Sequence, residues 1–161
     1  MTTISLLGCG LMGTPMATRL LNHGYTLNAW NRTRSKADAL AAKGARVADT
    51  PAQAVADADI VITMLEHGGV VEEVLFNPAL PGAIHGLKAG ALVIDMSSIL
   101  PEQAQAHGPR LAAQGVAYLD APVSGGTVGA EAGTLAIMAG GQAEDFERAR
   151  EVLSVLGRPV H

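Results

Sequence analysis

The stretch that most constrains this chain runs from Thr3 to Gly13, where Ile4, Ser5, Leu6 and Leu7 lead straight into Gly8-Cys9-Gly10-Leu11-Met12-Gly13. An apolar strand that enters a G-x-G-x-x-G turn and leaves as a helix has few folds open to it. Gly8 permits a tight turn, Gly10 lets the backbone approach a pyrophosphate with no Cβ in the way, and Gly13 lets the helix pack closely on the sheet. The anion then sits on free helix N–H groups. This assigns Gly8, Gly10, Leu11, Met12 and Gly13 to a dinucleotide site. In a chain with 19 glycines the bare spacing recurs by chance, and it is the strand before and the helix after that give it weight.

Beyond the turn, Met16, Ala17, Leu20 and Leu21 have helical spacing, and Gly24 ends that helix. Tyr25, Leu27, Ala29 and Trp30 read as a second strand. Ser35 and Asp38, at capping-box spacing, announce a helix that ends at Gly44. Ala45 to Ala48 is a third strand, Thr50-Pro51 with Gln53 starts a third helix, and Asp59 to Leu65 is a strongly apolar fourth strand. This alternation predicts an α/β fold, a doubly wound and mostly parallel sheet covered on both faces, with right-handed crossovers.

A helix follows from Val70 to Leu75, then an irregular loop through Asn77, Pro78, Pro81 and Gly82. Ala91 to Ile94 is a fifth strand ending at Asp95, Pro101 opens a helix that Gly115 closes, and Val116 to Leu119 is a sixth strand. From Asp120 the rhythm changes, and Ala121 to Gly129 reads as a glycine-rich loop, not a helix. Thr134 to Met138 is a further strand, Ala143 to Leu156 a last helix, and Pro159-Val160-His161 the start of another strand. An ending without a polar tail suggests a piece of a longer chain.

A length of 161 residues suits a single domain, residues 1–161. The net charge of −4, with no basic run, argues against a nucleic-acid partner. No apolar segment reaches the ~20 residues of a membrane span, and Met1-Thr2-Thr3 leads into the first strand without a signal-peptide layout, so a cytoplasmic location is expected. Cys9 is the only cysteine, which rules out an intrachain disulfide. The histidines, His23, His67, His85, His107 and His161, have no metal-ligand spacing; no metal is expected, and they read as surface or loop residues. With 3% aromatic residues there is no stacking platform for bases.

At the end of the second strand, where an NAD site usually presents a carboxylate to the ribose 2′-OH, this chain has Asn31, Arg32 and Thr33. A 2′-phosphate would escape repulsion there and could pair with Arg32, assisted by Thr33 and Arg34, while the guanidinium plane stacks on adenine. NADP(H) is therefore the preferred cofactor, with NAD(H) possible; a solvated turn before a capped helix would show the same residues. Met64 and Leu65 close the fourth strand, lining a cofactor cleft or packing the core. Cys9 is expected to face the same cleft as a small apolar residue.

Four stretches carry a family resemblance: GCGLMGTPMA at the turn, ITMLE from Ile62 to Glu66, IDMSS from Ile94 to Ser98, and DAPVSGGTVGAEAGTLAIMAGG from Asp120 to Gly141. On these the chain resembles the 3-hydroxyisobutyrate dehydrogenase family, β-hydroxyacid dehydrogenases that include tartronate semialdehyde (2-hydroxy-3-oxopropionate) reductase and are related to 6-phosphogluconate dehydrogenase. The resemblance implies a Rossmann-type domain that passes hydride between a nicotinamide and a short β-hydroxyacid or semialdehyde. It implies that Ser124, Gly125 and Gly126 hold the substrate carboxylate and that Ser97 and Ser98 lie near the nicotinamide ribose, although a strand-end turn accounts for these serines equally well. It further implies an all-helical domain, absent here, with the catalytic Lys beyond His161. This chain alone would then hold no catalytic residue and be inactive, while the full-length enzyme would be a homo-oligomer. Glu66 and His67 depart from the family pattern, where Pro or Asn is frequent, as does Leu100, where a Ser commonly caps the next helix. A different class remains open: a non-catalytic NADP-binding or assembly module on the same fold.

Overall fold

Unbroken apolar runs set the frame. Ile60, Val61 and Ile62, and again Leu92, Val93 and Ile94, are buried along their whole length, a pattern that belongs to parallel strands covered on both faces. The computed structural model describes residues 2–161; Met1, read above with Thr2 and Thr3 as the lead into the first strand, lies outside them.

The chain forms β1 (Thr3–Leu7), α1 (Gly13–Asn22), β2 (Thr26–Trp30), α2 (Arg34–Ala41), β3 (Arg46–Val47), α3 (Pro51–Val55), β4 (Ile60–Thr63), α4 (Gly68–Phe76), a short 3-10 turn at Ala83–His85, β5 (Leu92–Asp95), α5 (Pro101–Ala112) and β6 (Ala117–Asp120). The six strands pair in parallel in the order β3-β2-β1-β4-β5-β6. The chain starts at the centre with β1, winds outward to β3, then returns to the other side of β1 with β4. That reversal opens a crevice beyond the carboxyl ends of β1 and β4.

Successive side chains along a strand point to opposite faces. Ile60, Ile62, Leu92 and Ile94 therefore join Leu20 of α1 in one core. Val61 and Val93 join Val71, Leu75 and Leu111 of α4 and α5 in the other. The expected Rossmann-type doubly wound sheet is present.

After β6 come β7 (Val123–Ser124), α6 (Gly126–Ala132), β8 (Leu135–Met138), α7 (Ala143–Leu156) and β9 (Gly157–Val160). These strands build a separate sheet, β7-β8-β9, in which β7 runs antiparallel to β8 and β9 parallel to it. Phe146, Leu153 and Leu156 of α7 enter the first core. Arg19 of α1 fastens this unit by donating from Nε to the Val155 carbonyl at 2.8 Å.

Local expectations met three corrections. The segment read as a glycine-rich loop holds the short strand β7 and the start of α6. Gly125 (φ +138) and Gly126 (φ +61) turn the chain, after which Gly129 N–H donates to Gly125 O at 3.0 Å and the small residues Gly129 and Ala130 bury against the sheet. Helix α2 is capped at Thr33, ahead of Ser35, and no side chain bonds its first turn. Thr50, by contrast, caps α3 as read, its hydroxyl accepting Gln53 N–H at 3.1 Å. Lastly, His107 is buried at 2% exposure, where the other four histidines are exposed. Its ring packs beside Phe76 and edge-on to Tyr118, while Nε2 lies 3.1 Å from Glu72 Oε2, which lets an imidazole sit inside.

Candidate functional site

The glycines of the first turn answer to different demands. Gly8 adopts φ +113, and a Cβ there would lie 2.2 Å from the Met64 carbonyl oxygen. At Gly13 a Cβ would lie 2.0 Å from Gly8 O, so helix α1 can approach the turn only with glycine at its first position. Gly10 differs, because a Cβ there would meet nothing within 4 Å. The protein does not need a glycine at this position, and the space in front of its backbone suits an incoming group. Behind it, Thr14 N–H already donates to Gly10 O at 3.0 Å and Met16 N–H to Met12 O at 3.3 Å, so the donors left over lie ahead of Thr14, at the start of α1. Its N-cap Met12 offers no side-chain acceptor and no acidic residue lies in the first turn.

The turn opens into a cleft of about 460 Å³. Gly8, Gly10, Leu11, Met12 and Gly13 line it from the turn, Asn31, Arg32 and Thr33 from the end of β2, and Met64 and Leu65 from the end of β4. Trp30, Lys36, Glu66, Val70 and Val74 join them. The sequence reading did not place these five in the cleft. Lys36 was detectable, since it stands three residues after the α2 cap and so lies on the first helical turn beside the strand end.

Asn31 is committed to the scaffold. Its Oδ1 accepts Cys9 N–H at 2.8 Å and its Nδ2 donates to Thr33 O at 3.0 Å, which ties the glycine turn to the end of β2. Arg32 and Thr33 are exposed. Among the described residues no carboxylate pairs with Arg32 or Lys36. Arg34, expected to assist Arg32, instead pairs with Asp38 at 3.3 Å and with Asp49.

Cys9 does not face the cleft. It is buried in the first core with Sγ 3.6 Å from Trp30 O, and burial pushes its thiol up to about 12, which keeps it protonated and unreactive. Ser97 and Ser98 follow β5 but do not line the cleft. Ser97 is fully buried, its hydroxyl accepting Leu65 N–H at 2.9 Å, and Ser98 is exposed. Ser124, Gly125 and Gly126 lie apart from the cleft, exposed where β7 turns into α6. Asp95 and Asp120 stand side by side at the ends of β5 and β6. Burial raises both carboxyls above the usual range, Asp120 to about 6 with added repulsion from Asp95.

Among the described residues no group of His, Cys, Asp and Glu could hold a metal ion, and no helix is long and apolar enough to cross a membrane.

Residues 3–161 match the family described as the NAD binding domain of 6-phosphogluconate dehydrogenase. Two curated relatives from Pseudomonas aeruginosa, an NAD-dependent L-serine dehydrogenase and a 3-hydroxyisobutyrate dehydrogenase, are each 42% identical over 160 residues, covering 99% of this chain and 53% of their own length. The solved 3-hydroxyisobutyrate dehydrogenase of Mycobacterium tuberculosis, determined with L-serine, superposes on 100% of this chain and 54% of its own, with a TM-score of 0.94 at 38% identity. The chain thus spans about half the length of the relatives it matches. The glycine turn, the strand order and these matches agree: the chain belongs to the NAD-binding domain family of 6-phosphogluconate dehydrogenase, as the N-terminal domain type of the 3-hydroxyisobutyrate dehydrogenases.

Proposed function

We propose that the cleft binds NADP(H) in preference to NAD(H), and that residues 1–161 are the dinucleotide-binding domain of a β-hydroxyacid dehydrogenase. The observation that carries the cofactor reading is the end of β2. A neutral Asn31 with both polar atoms engaged is followed by the exposed Arg32, with Lys36 lining the same cleft and no carboxylate paired with either cation among the described residues. Two cations without acidic partners suit a 2′-phosphate, and charge-assisted hydrogen bonds of this kind are worth ~1.5–3 kcal/mol each. One relative is named NAD-dependent while a solved neighbour holds NADP+, so the preference rests on this chain's own residues. Gly10 leaves room for the pyrophosphate, and the amides ahead of Thr14, where the turn enters α1, receive it. Calorimetric titration with NADPH and NADH tests this. NADPH should bind more tightly by roughly 10- to 100-fold, and Arg32→Ala should remove most of that margin. Equal affinities overturn the preference.

The bound nicotinamide supplies or accepts the hydride. Ser124, with Gly125 and Gly126 at the start of α6, offers a hydroxyl and approachable amides for the carboxylate of a short β-hydroxyacid or semialdehyde. Ser97 and Ser98, at the end of β5, stand on the nicotinamide side in this reading. Of the chain's lysines, Lys43 donates to Thr18 Oγ1 at 3.2 Å, Lys88 pairs with Asp59 at 2.9 Å, and Lys36 lies in the cleft with Arg32. None is left to act as proton donor at a carbonyl, a role worth about 10²–10⁴ in rate. The 161 residues alone should therefore bind cofactor without turning over a β-hydroxyacid. Turnover at ordinary enzymatic rates overturns that expectation. Binding without turnover in the longer, homo-oligomeric protein as well would instead identify a non-catalytic module.

A further inference from the structure

Met64 N–H still donates to Leu7 O of β1 at 3.0 Å, and Leu65, the next residue, must be held another way, because it forms part of the cleft wall. Its N–H donates to Ser97 Oγ at 2.9 Å, across from the end of β5. Ser97 is itself fixed by donating its own N–H to Asp95 Oδ1 at 3.0 Å, and the same oxygen accepts the Thr63 hydroxyl at 2.9 Å. Asp95, Thr63 and Ser97 are all 0% exposed. A buried carboxylate with no ion-pair partner among the described residues is an expensive way to fill a core. What it accomplishes here is a directed chain of bonds that ends on the cleft wall. The tolerance is small, because the Met64 carbonyl next to Leu65 occupies the place a Gly8 Cβ would take. A shift of Met64–Leu65 therefore also disturbs the glycine turn.

We propose that Ser97, anchored by Asp95 and Thr63, is a positioning residue that sets the cleft's affinity for the adenine half of a dinucleotide through the Leu65 amide, without touching the ligand. This rests on the cofactor reading above, in which Arg32 and Lys36 take the adenosine 2′-phosphate and Leu65, Val70 and Val74 supply apolar wall to the same cleft. It differs from a direct role for Ser97 at the nicotinamide ribose in which part of the ligand should sense the hydroxyl.

Adenosine 2′,5′-bisphosphate, which has no nicotinamide half, separates the two roles. Ser97→Ala leaves the Leu65 N–H without its acceptor. It should weaken this probe about tenfold, and NADPH by the same factor, while speeding hydrogen exchange at the Leu65 amide by about tenfold or more. Thr63→Val should act in the same direction, and Thr63→Ser, which keeps the hydroxyl, should restore both readouts. A Ser97→Ala protein that binds the probe like wild type but loses NADPH overturns the proposal in favour of direct contact. Unchanged exchange at Leu65 also overturns it. Wild-type protein that binds neither probe nor NADPH overturns the cofactor reading and this proposal with it, an outcome visible before any variant is compared.

Discussion

The molecule has two glycine-rich segments, the turn from Gly8 to Gly13 and the stretch from Gly125 to Gly133 that turns into and out of α6, and they are built on different terms. In the first, added Cβ atoms would strike backbone: Met64 O at Gly8 and Gly8 O at Gly13. In the second, a Cβ would meet the Leu135 side chain at Gly129 and the Arg19 guanidinium at Gly133, and nothing within 4 Å at Gly126. Backbone held by a parallel sheet cannot yield, whereas side chains can. The first turn is therefore rigid before any ligand arrives, and a site preformed in this way loses little affinity to ordering. The second turn sits on a small separate sheet, exposed at Ser124 through Val128, and its shape depends on softer neighbours.

Alanine substitutions sharpen this contrast. Gly13→Ala should have the largest effect, since a Cβ 2.0 Å from a carbonyl oxygen forces α1 off the turn. The expected loss is about 3 kcal/mol or more, read as a melting temperature lower by roughly 6–12 °C. Gly10→Ala should leave stability within about 0.5 kcal/mol yet weaken NADPH at least tenfold, because its methyl group enters only the cleft. If Gly10→Ala unfolds the protein, or Gly13→Ala does not destabilise it, the division between structural and ligand-facing glycines fails. In the second turn, Gly126→Ala faces open space but a left-handed φ of +61, so urea denaturation should show a loss of about 1 kcal/mol.

The first turn was legible in the sequence because its constraints are local. Three glycines at fixed spacing after an apolar strand specify nearly all of it, and ten of the twelve expected cofactor residues line one cleft. The unit after Asp120 was half legible. Strands β8 and β9 and the last helix show in the hydrophobic pattern, but β7 and α6 do not, since two residues show no alternation and Gly126 and Gly129 are poor helix formers. Packing against Leu135 and the reach of Arg19 from α1, whose Nη1 donates to Glu131 O at 3.3 Å, hold that helix in place. The burial of His107 and of Ser97 was hidden for the same reason: each depends on partners at least 30 positions away, Glu72 for the first and Leu65 for the second. Asn31 was read as the residue that leaves room for a 2′-phosphate. Its hydrogen bond to Cys9 N–H, which makes it a brace of the glycine turn, needs the parallel pairing of β1 and β2 to become visible.

Electrostatics at the roots of the two turns gives an effect no larger than that of Gly126→Ala. Burial raises a titratable group at each: Cys9, pushed to about 12, stays neutral throughout the stability range, whereas Asp120, pushed to about 6, titrates within it. Asp120 is half-buried. Its backbone pairs with Gly140, its Oδ1 finds no hydrogen-bond partner among the described residues, and Asp95 is its neighbour in the sheet. A carboxyl whose folded pKa lies above its unfolded value of 3.8 binds more protons in the folded state. Its stabilising contribution is complete below the unfolded value and is lost as pH rises through about 6. Asp120→Asn removes this titration, so the variant should match wild type near pH 4 and become the more stable of the two above about pH 6. The gap should be about 1 kcal/mol, because water screens a carboxylate that is only half-buried. Urea denaturation of both proteins across this range isolates the effect, since Asp59 and Glu147, whose carboxyls are shifted downward, contribute equally to each. Stability curves that stay parallel from pH 4 to 7 would mean that the second turn carries no proton-linked strain, and that the two turns differ in packing alone.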